Sequence, residues 1–227
     1  MSRSSGPLPP RTGYRLWAPH YHGETAVSAL EAGGVERITP PLAGRALLDA
    51  GCGTGRRLAD AHGVRFSAGV DLVPEMLRAG RRHGAVAPMA AADLRALPLR
   101  SALFDVIWCR LVLGHLWDPA PAYAELARVA APVGAVLVVS DFHPAAVAAG
   151  HARTFRDAGG RLHVLEHHVH TAASHERAAK GAGWRLRVCQ ELAVGPAIRS
   201  FYEEAGVLAA YRAQLGLPLV LLLRFGR

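Results

Sequence analysis

The chain of 227 residues is nearly devoid of lysine, with Lys180 the single one among 26 basic residues. Its net charge of +8 is therefore carried by arginine, and the arginines are scattered. They form no basic stripe with interleaved aromatics of the kind that tracks a nucleic-acid backbone. The abundance of Ala, Gly, Leu and Arg suits a GC-rich coding sequence, so the basic balance is weak evidence of a polyanionic partner. Cysteine is also scarce. Cys52, Cys109 and Cys189 are odd in number and include no C-x-x-C pair, which excludes a disulfide framework and suits a reducing compartment. The longest apolar run, near Leu217–Leu223, is far shorter than the roughly 20 residues a bilayer requires. The opening Met-Ser-Arg-Ser-Ser-Gly-Pro-Leu-Pro-Pro lacks the apolar centre of a signal peptide. A cytoplasmic protein with no membrane partner is expected. With 51% hydrophobic residues, no internal repeat and no low-complexity tract, the chain can bury one α/β core.

What the sequence does have is concentrated between Arg45 and Leu58. Ala46, Leu47 and Leu48 form an unalternating apolar run, the pattern of a strand buried on both faces of a parallel sheet. Asp49 puts a carboxylate at the end of that strand. Gly51, Gly53 and Gly55 follow at every second position before a helical pattern begins at Arg56. Glycine tolerates positive φ and has no Cβ, so such a turn lets a ligand lie against the backbone. Open α/β sheets bind ligands at this end of the strands. A dinucleotide fingerprint would need a third small residue where Arg56 stands, which disfavours an NAD-dependent oxidoreductase.

The run Leu48-Asp49-Ala50-Gly51-Cys52-Gly53-Thr54-Gly55 resembles L-D-x-G-C-G-T-G, the first motif of class I S-adenosylmethionine (AdoMet)-dependent methyltransferases. The likeness is to the small-molecule members of the ubiquinone and menaquinone biosynthesis type. Further stretches extend it. Tyr14, Trp17, Ala18 and Tyr21 match the opening Y-D-x-W-A-x-x-Y-D, with His22 in place of the last acid. Asp71-Leu72-Val73-Pro74-Glu75-Met76-Leu77 is similar to the second motif, and Asp93-Leu94 with Leu97-Pro98 to D-A-x-x-L-P-F. Phe104 to His115 resembles the stretch that passes the methionine end of the cofactor, and Glu125-Leu-Ala-Arg128-Val the E-x-x-R-V run. The resemblance implies a Rossmann-like, doubly wound sheet of seven strands with helices on both faces. The last strand would be antiparallel, between the fifth and sixth.

It also implies AdoMet as cofactor, with S-adenosylhomocysteine as product. The residues carried over to its site are Tyr21, Asp49, Gly51, Cys52, Gly53, Gly55, Asp71, Leu72, Met76, Asp93, Leu94, Cys109 and Arg110. Asp71 would take both ribose hydroxyls, and Asp93 with the Leu94 amide would hold the adenine. Met76 either touches the cofactor or packs in the core, and the Tyr14–Tyr21 segment either closes over the cofactor or packs aromatically on the sheet.

Residues 1–13 read as a disordered leader and 14–227 as a single domain. Thr25 to Glu31 would continue the first helix. Residues 85–91 suit a third strand, 120–131 an amphipathic helix, 172–181 another, and 200–213 a further one. The stretch 142–171 shows no regular period and reads as a variable insertion on the substrate side, with Tyr14–Tyr21 its partner in a cover.

Methyl transfer demands alignment, exclusion of water and, for a hydroxyl or acidic carbon, removal of a proton. His115 and His143 follow the fourth and fifth strands and are the candidate catalytic residues. His143, nearer the acceptor's body, is expected to act as base, and His115 to line the methyl channel. His163, His167, His168, His170 and His175 lack the spacing of a closed metal site, so no metal is expected. Missing N/D-P-P-Y/F and proline-flanked cysteine patterns disfavour nucleic-acid methylation. The expected function is methyl transfer to O, C or N of a small organic acceptor, with a place in secondary metabolism. A nucleic-acid methyltransferase and a non-catalytic AdoMet-binding protein are the alternatives. The sequence does not separate monomer from homodimer.

Overall fold

The computed structural model describes residues 6–21 and 23–227, so Met1–Ser5 of the expected leader and His22 lie outside the described residues. In chain order the helices are α1 Pro10–Trp17, α2 Ala26–Ile38, α3 Arg56–Ala59, α4 Pro74–Arg82, α5 Ala120–Val129, α6 Pro144–Ala148, α7 Ala172–Gly181, α8 Arg199–Glu204 and α9 Leu208–Gln214. The strands are β1 Ala46–Ala50, β2 Phe66–Asp71, β3 Met89–Ala91, β4 Val106–Arg110, β5 Val136–Phe142, β6 Thr154–Arg156, β7 Leu162–Val164, β8 Arg185–Ala193 and β9 Pro218–Gly226.

Every residue of β1 is buried, because successive side chains enter different cores. Leu47 packs with Trp108, Val138 and Leu222 beneath Val35 and Ile38 of α2. Leu48 packs with Ile107, Leu137 and Leu223 beneath Tyr123 and Leu126 of α5. An unalternating apolar strand is thus the signature of a sheet covered on both sides. The sheet runs β3-β2-β1-β4-β5-β9-β8. The first five of these strands are parallel, and β9 is antiparallel to both β5 and β8. This is the expected doubly wound seven-stranded sheet. Strand order reverses between β1 and β4, and the crevice at that switch point carries the glycine turn.

Four expectations need correction. Ordered structure begins inside the stretch read as a leader: α1 starts at Pro10, and Leu8 bridges Leu165. Pro at the first turn of α1 fills a position where its missing N–H costs nothing. Residues 25–31 do not continue that helix. A 3₁₀ turn over Ala18–His20 ends it, and α2 begins afresh with a capping box between Thr25 and Ser28. The stretch 142–171 is not irregular but holds α6 and a two-stranded sheet of β6 and β7, elements too short for a sequence period to show. The single helix read over 200–213 is two, α8 and α9, parted at Gly206 with φ of +69°.

Candidate functional site

The β1–α3 turn is shaped by backbone that only glycine fills comfortably. Gly51, Gly53 and Gly55 have φ of +87°, +58° and +73°, and a Cβ on Gly51 would overlap the Val112 side chain. Asp71, at the end of β2, pins the turn from the side: its Oδ2 accepts the Gly53 N–H at 2.8 Å and its Oδ1 the Val73 N–H at 2.9 Å. Burial raises the Asp71 pKa, with the two amides opposing the shift. Asp49 lies buried beside this turn. Burial pushes its pKa up to about 6, against the pull of the Arg110 and Arg57 cations.

Those two arginines converge on a residue that the sequence reading missed. Glu31, on α2, is fully buried. It accepts Arg110 Nε and Nη2 at 2.9 and 2.7 Å, Arg57 at 3.0 Å and the Ser140 hydroxyl at 2.7 Å. Burial would raise its pKa, but these donors hold it below the usual carboxylate range. A signal for it existed, because Glu31 shares the buried stripe of α2 with Gly34, Val35 and Ile38 at helical spacing. An acid on an apolar stripe must have a charged partner.

The turn opens into a cavity of about 470 Å³. Of the residues expected at the cofactor, Tyr21, Asp49, Gly51, Cys52, Gly53, Asp71, Leu72, Met76, Asp93, Leu94 and Arg110 line it. Met76 is almost wholly buried and also reaches the cavity wall. Asp93 is gripped in bidentate fashion by Arg95, with Nη2 to Oδ2 at 2.6 Å, and these bonds lower its pKa. Two expected residues fall outside. Gly55 caps α3 against Met89, and the Cys109 side chain is buried in the core under α5, where burial pushes its thiol up.

Another part of the wall is built by α1, the loop after β4 and the segment before β6. His115 donates from Nδ1 to the Glu166 carbonyl at 3.2 Å, because a carbonyl can only accept. Its Nε2 therefore carries the lone pair and takes the Tyr14 hydroxyl at 3.1 Å. The Tyr14 oxygen in turn accepts Arg153 Nη2–H at 2.9 Å. Burial, with Arg153 adding to it, pushes the His115 pKa down to about 3, and burial pushes Tyr14 up to about 12. The imidazole is neutral throughout the physiological range.

His143 is not in this wall, and its expected role as base needs correction. It caps α6, its Nδ1 accepting the Ala145 N–H at 3.0 Å, and its Nε2 lies 3.2 Å from Glu191. A proline at the next position starts a helix, so the histidine is drawn into capping and turned away from the crevice. Behind His115 lies a buried cluster. The Asp141 carboxylate has His167 and His175 Nε2 at 3.4 and 3.3 Å and accepts the Phe142 N–H. Burial works to raise Asp141, but the two imidazoles outweigh it and hold the carboxyl well below its usual range. His175 also faces the Tyr123 hydroxyl at 3.0 Å. Among the described residues no group of three or more His, Cys, Asp and Glu is arranged to hold a metal ion.

Comparison with known proteins agrees with this geometry. A family model described as a methyltransferase domain matches residues 48–138. The malonyl-[acyl-carrier protein] O-methyltransferase of Enterobacter lignolyticus is 34% identical over 119 residues, which cover 52% of this chain and 47% of that protein. The ubiquinone biosynthesis O-methyltransferase of Bordetella bronchiseptica is 30% identical over 130 residues, 53% of each. The chain thus spans about half the length of these curated relatives. An S-adenosylmethionine-dependent methyltransferase from Mesorhizobium loti superimposes with a TM-score of 0.68 at 24% identity, over 89% of this chain and 100% of that one. Sheet order, glycine turn and matched segment coincide: residues 48–138, the stretch similar to a methyltransferase domain, run from β1 through the glycine turn to β5 at the centre of the sheet.

Proposed function

We propose that this protein transfers a methyl group from AdoMet to a nucleophile of a small organic molecule. The observation that carries the reading is the β1 glycine turn, pinned by Asp71 and opening into a cavity of about 470 Å³. The residues fit the cofactor: the cradle at Gly51 and Gly53 is space that a Cβ would fill, and Asp49 offers a buried carboxyl for a cationic end. Asp71 would hold the ribose, Asp93 and Leu94 the adenine, and Asp49 with the Arg110 region the amino-acid end. When bound, AdoMet supplies an activated methyl on sulfur and leaves as S-adenosylhomocysteine.

The chain's own contribution is placement and dryness. Tyr14, Tyr21 and the segment 142–171 form the acceptor's side and exclude water. His115, rather than His143, is the group we assign to the acceptor's hydrogen. It lines the cavity with its Nε2 accepting the Tyr14 hydroxyl, and displacement of that hydroxyl would free it to accept from an acceptor hydroxyl. Because the imidazolium is disfavoured here, this bond orients the hydroxyl more than it removes its proton. Both curated relatives named above are O-methyltransferases, which supports oxygen as the reacting atom.

The test is calorimetric titration with AdoMet, S-adenosylhomocysteine and NAD, followed by transfer of labelled methyl to a panel of small acceptors. Micromolar binding of the first two, about −8 kcal/mol, is expected. Tighter binding of NAD would overturn the reading.

A further inference from the structure

The cavity's arginines differ in what neutralises them. Arg57 and Arg110 share Glu31, and Arg95 grips Asp93. Arg153 reaches the cavity wall with neutral partners, the Leu111 carbonyl at 2.8 Å and the Tyr14 hydroxyl at 2.9 Å. Among the described residues no carboxylate lies within ion-pair distance of it. Asp141, the acid that most influences it, is fully buried and engaged by two histidines. A half-buried guanidinium with only neutral partners recovers part of its lost hydration, and an anion would supply the remainder.

We propose that the acceptor binds as an anion, with a carboxylate seated on the Arg153 guanidinium beside Tyr14 and His115. This rests on the methyl-transfer reading of the same cavity. Placement separates the acceptor from the cofactor. The acids assigned to ribose and adenine make their hydrogen bonds with other groups, Asp71 with the Gly53 and Val73 amides and Asp93 with Arg95, and none with Arg153. The cofactor's own carboxylate has a nearer cation, because Arg57 and Arg110 together exceed Glu31 by one charge beside Asp49. Arg153 is tied instead to α1 and to the loop after β4, the two elements that carry Tyr14 and His115. Two of its N–H groups are committed, and the rest of the planar fork matches a carboxylate, which accepts two parallel bonds. Tyr14, Tyr21, Leu111 and Val112 line the same cavity, so the anion's organic body has an apolar wall.

The test uses the full chain saturated with S-adenosylhomocysteine and two matched probe pairs, benzoate with benzamide and hexanoate with hexanamide. Calorimetry is expected to show at least one carboxylate binding tenfold or more tightly than its amide. The preference should vanish in R153Q, while S-adenosylhomocysteine affinity changes less than threefold. R153K, which keeps the charge but loses the fork, should retain part of the preference. No preference in the wild-type protein would overturn the proposal, and this arm stands even if neither variant folds. A tenfold or larger loss of S-adenosylhomocysteine affinity in R153Q would overturn it too, by assigning the guanidinium to the cofactor. Failure of the wild-type protein to bind S-adenosylhomocysteine at all would instead sink the methyl-transfer reading.

Discussion

The two walls of the cavity are built on opposite plans. The wall at the ends of β1, β2 and β3 is acidic and short in sequence. Asp49 and Asp71 stand in the last two residues of β1 and β2, Asp93 lies just beyond β3, and Asp71 is fixed by the Gly53 amide of the turn and the Val73 amide after its own strand. The other wall is cationic and assembled from afar, with Arg153 bonded to Tyr14 at a separation of 139 residues and Tyr14 to His115 at 101. Glu31 sits between the two, an acid whose cations come from the glycine-turn helix and from β4. The difference teaches which half tolerates change. A wall of strand ends is held by the sheet, whereas a wall of long-range hydrogen bonds depends on α1 and the loops keeping their places.

The harshest way to break the comparison is to remove the boundary acid. Glu31→Gln leaves Arg110 and Arg57 without their counter-charge in a buried place, and should cost about 3–5 kcal/mol in urea unfolding. A change below 1 kcal/mol would mean that the arginines find other partners. Next, the two histidines should separate cleanly. His115→Ala is expected to lower kcat about 10²-fold, at the low end for a general base, since its imidazole is so hard to protonate. His143→Ala should stay within threefold because it only caps α6. Equal losses would return His143 to the site.

On the acidic wall, Asp71→Asn should weaken S-adenosylhomocysteine by about 2 kcal/mol, the range of a charge-assisted hydrogen bond. The turn itself should also loosen, visible as faster amide exchange at Gly53, because Asp71 holds that N–H. Unchanged affinity would remove Asp71 from the ribose.

The gentlest probe is pH. Asp49 has its pKa raised from 3.8 to about 6 in the empty protein, so below that value it is mostly neutral. A cationic cofactor end selects the ionised form. Binding must then release a proton, and affinity should fall towards tenfold per pH unit below about 6 while staying flat above 7. Stability of the empty protein moves the other way for this group: the folded state holds more protons than the unfolded between 3.8 and 6, so its contribution is lost as pH rises through that window. Calorimetry in buffers of differing ionisation heat would show the released proton at pH 5.5 and its absence in Asp49→Asn.

How much of this was legible follows from distance along the chain. The acidic wall could be read because each acid stands at the end of its own strand, and glycine spacing is a local code. Strand positions were available from apolar runs separated by helical periods, while their order in the sheet came with the family resemblance. Gly55 and Cys109 were legible as motif positions but not as cavity walls, since a motif does not say which way a side chain turns within β4 or at a helix cap. Glu31 left a trace in its stripe, but its partner Arg110 lies 79 residues on. Arg153 left none, because its meaning arises only when Tyr14 is brought to it. His143 misled through position: a histidine after a strand end looks poised over the crevice until the following proline starts a helix.

One consequence of the strand order concerns how the chain is made. β9 comes after the other six strands of the sheet in chain order, yet it sits inside the sheet, between β5 and β8. Until Pro218–Gly226 has been made, the edge of β5 is open and β8 has no strand to pair with. A nascent protein carrying everything up to α9 would thus display two unsatisfied backbone edges, the surface that invites mispairing with other chains. The apolar run of β9 closes both at once, as a keystone set after the arch is standing.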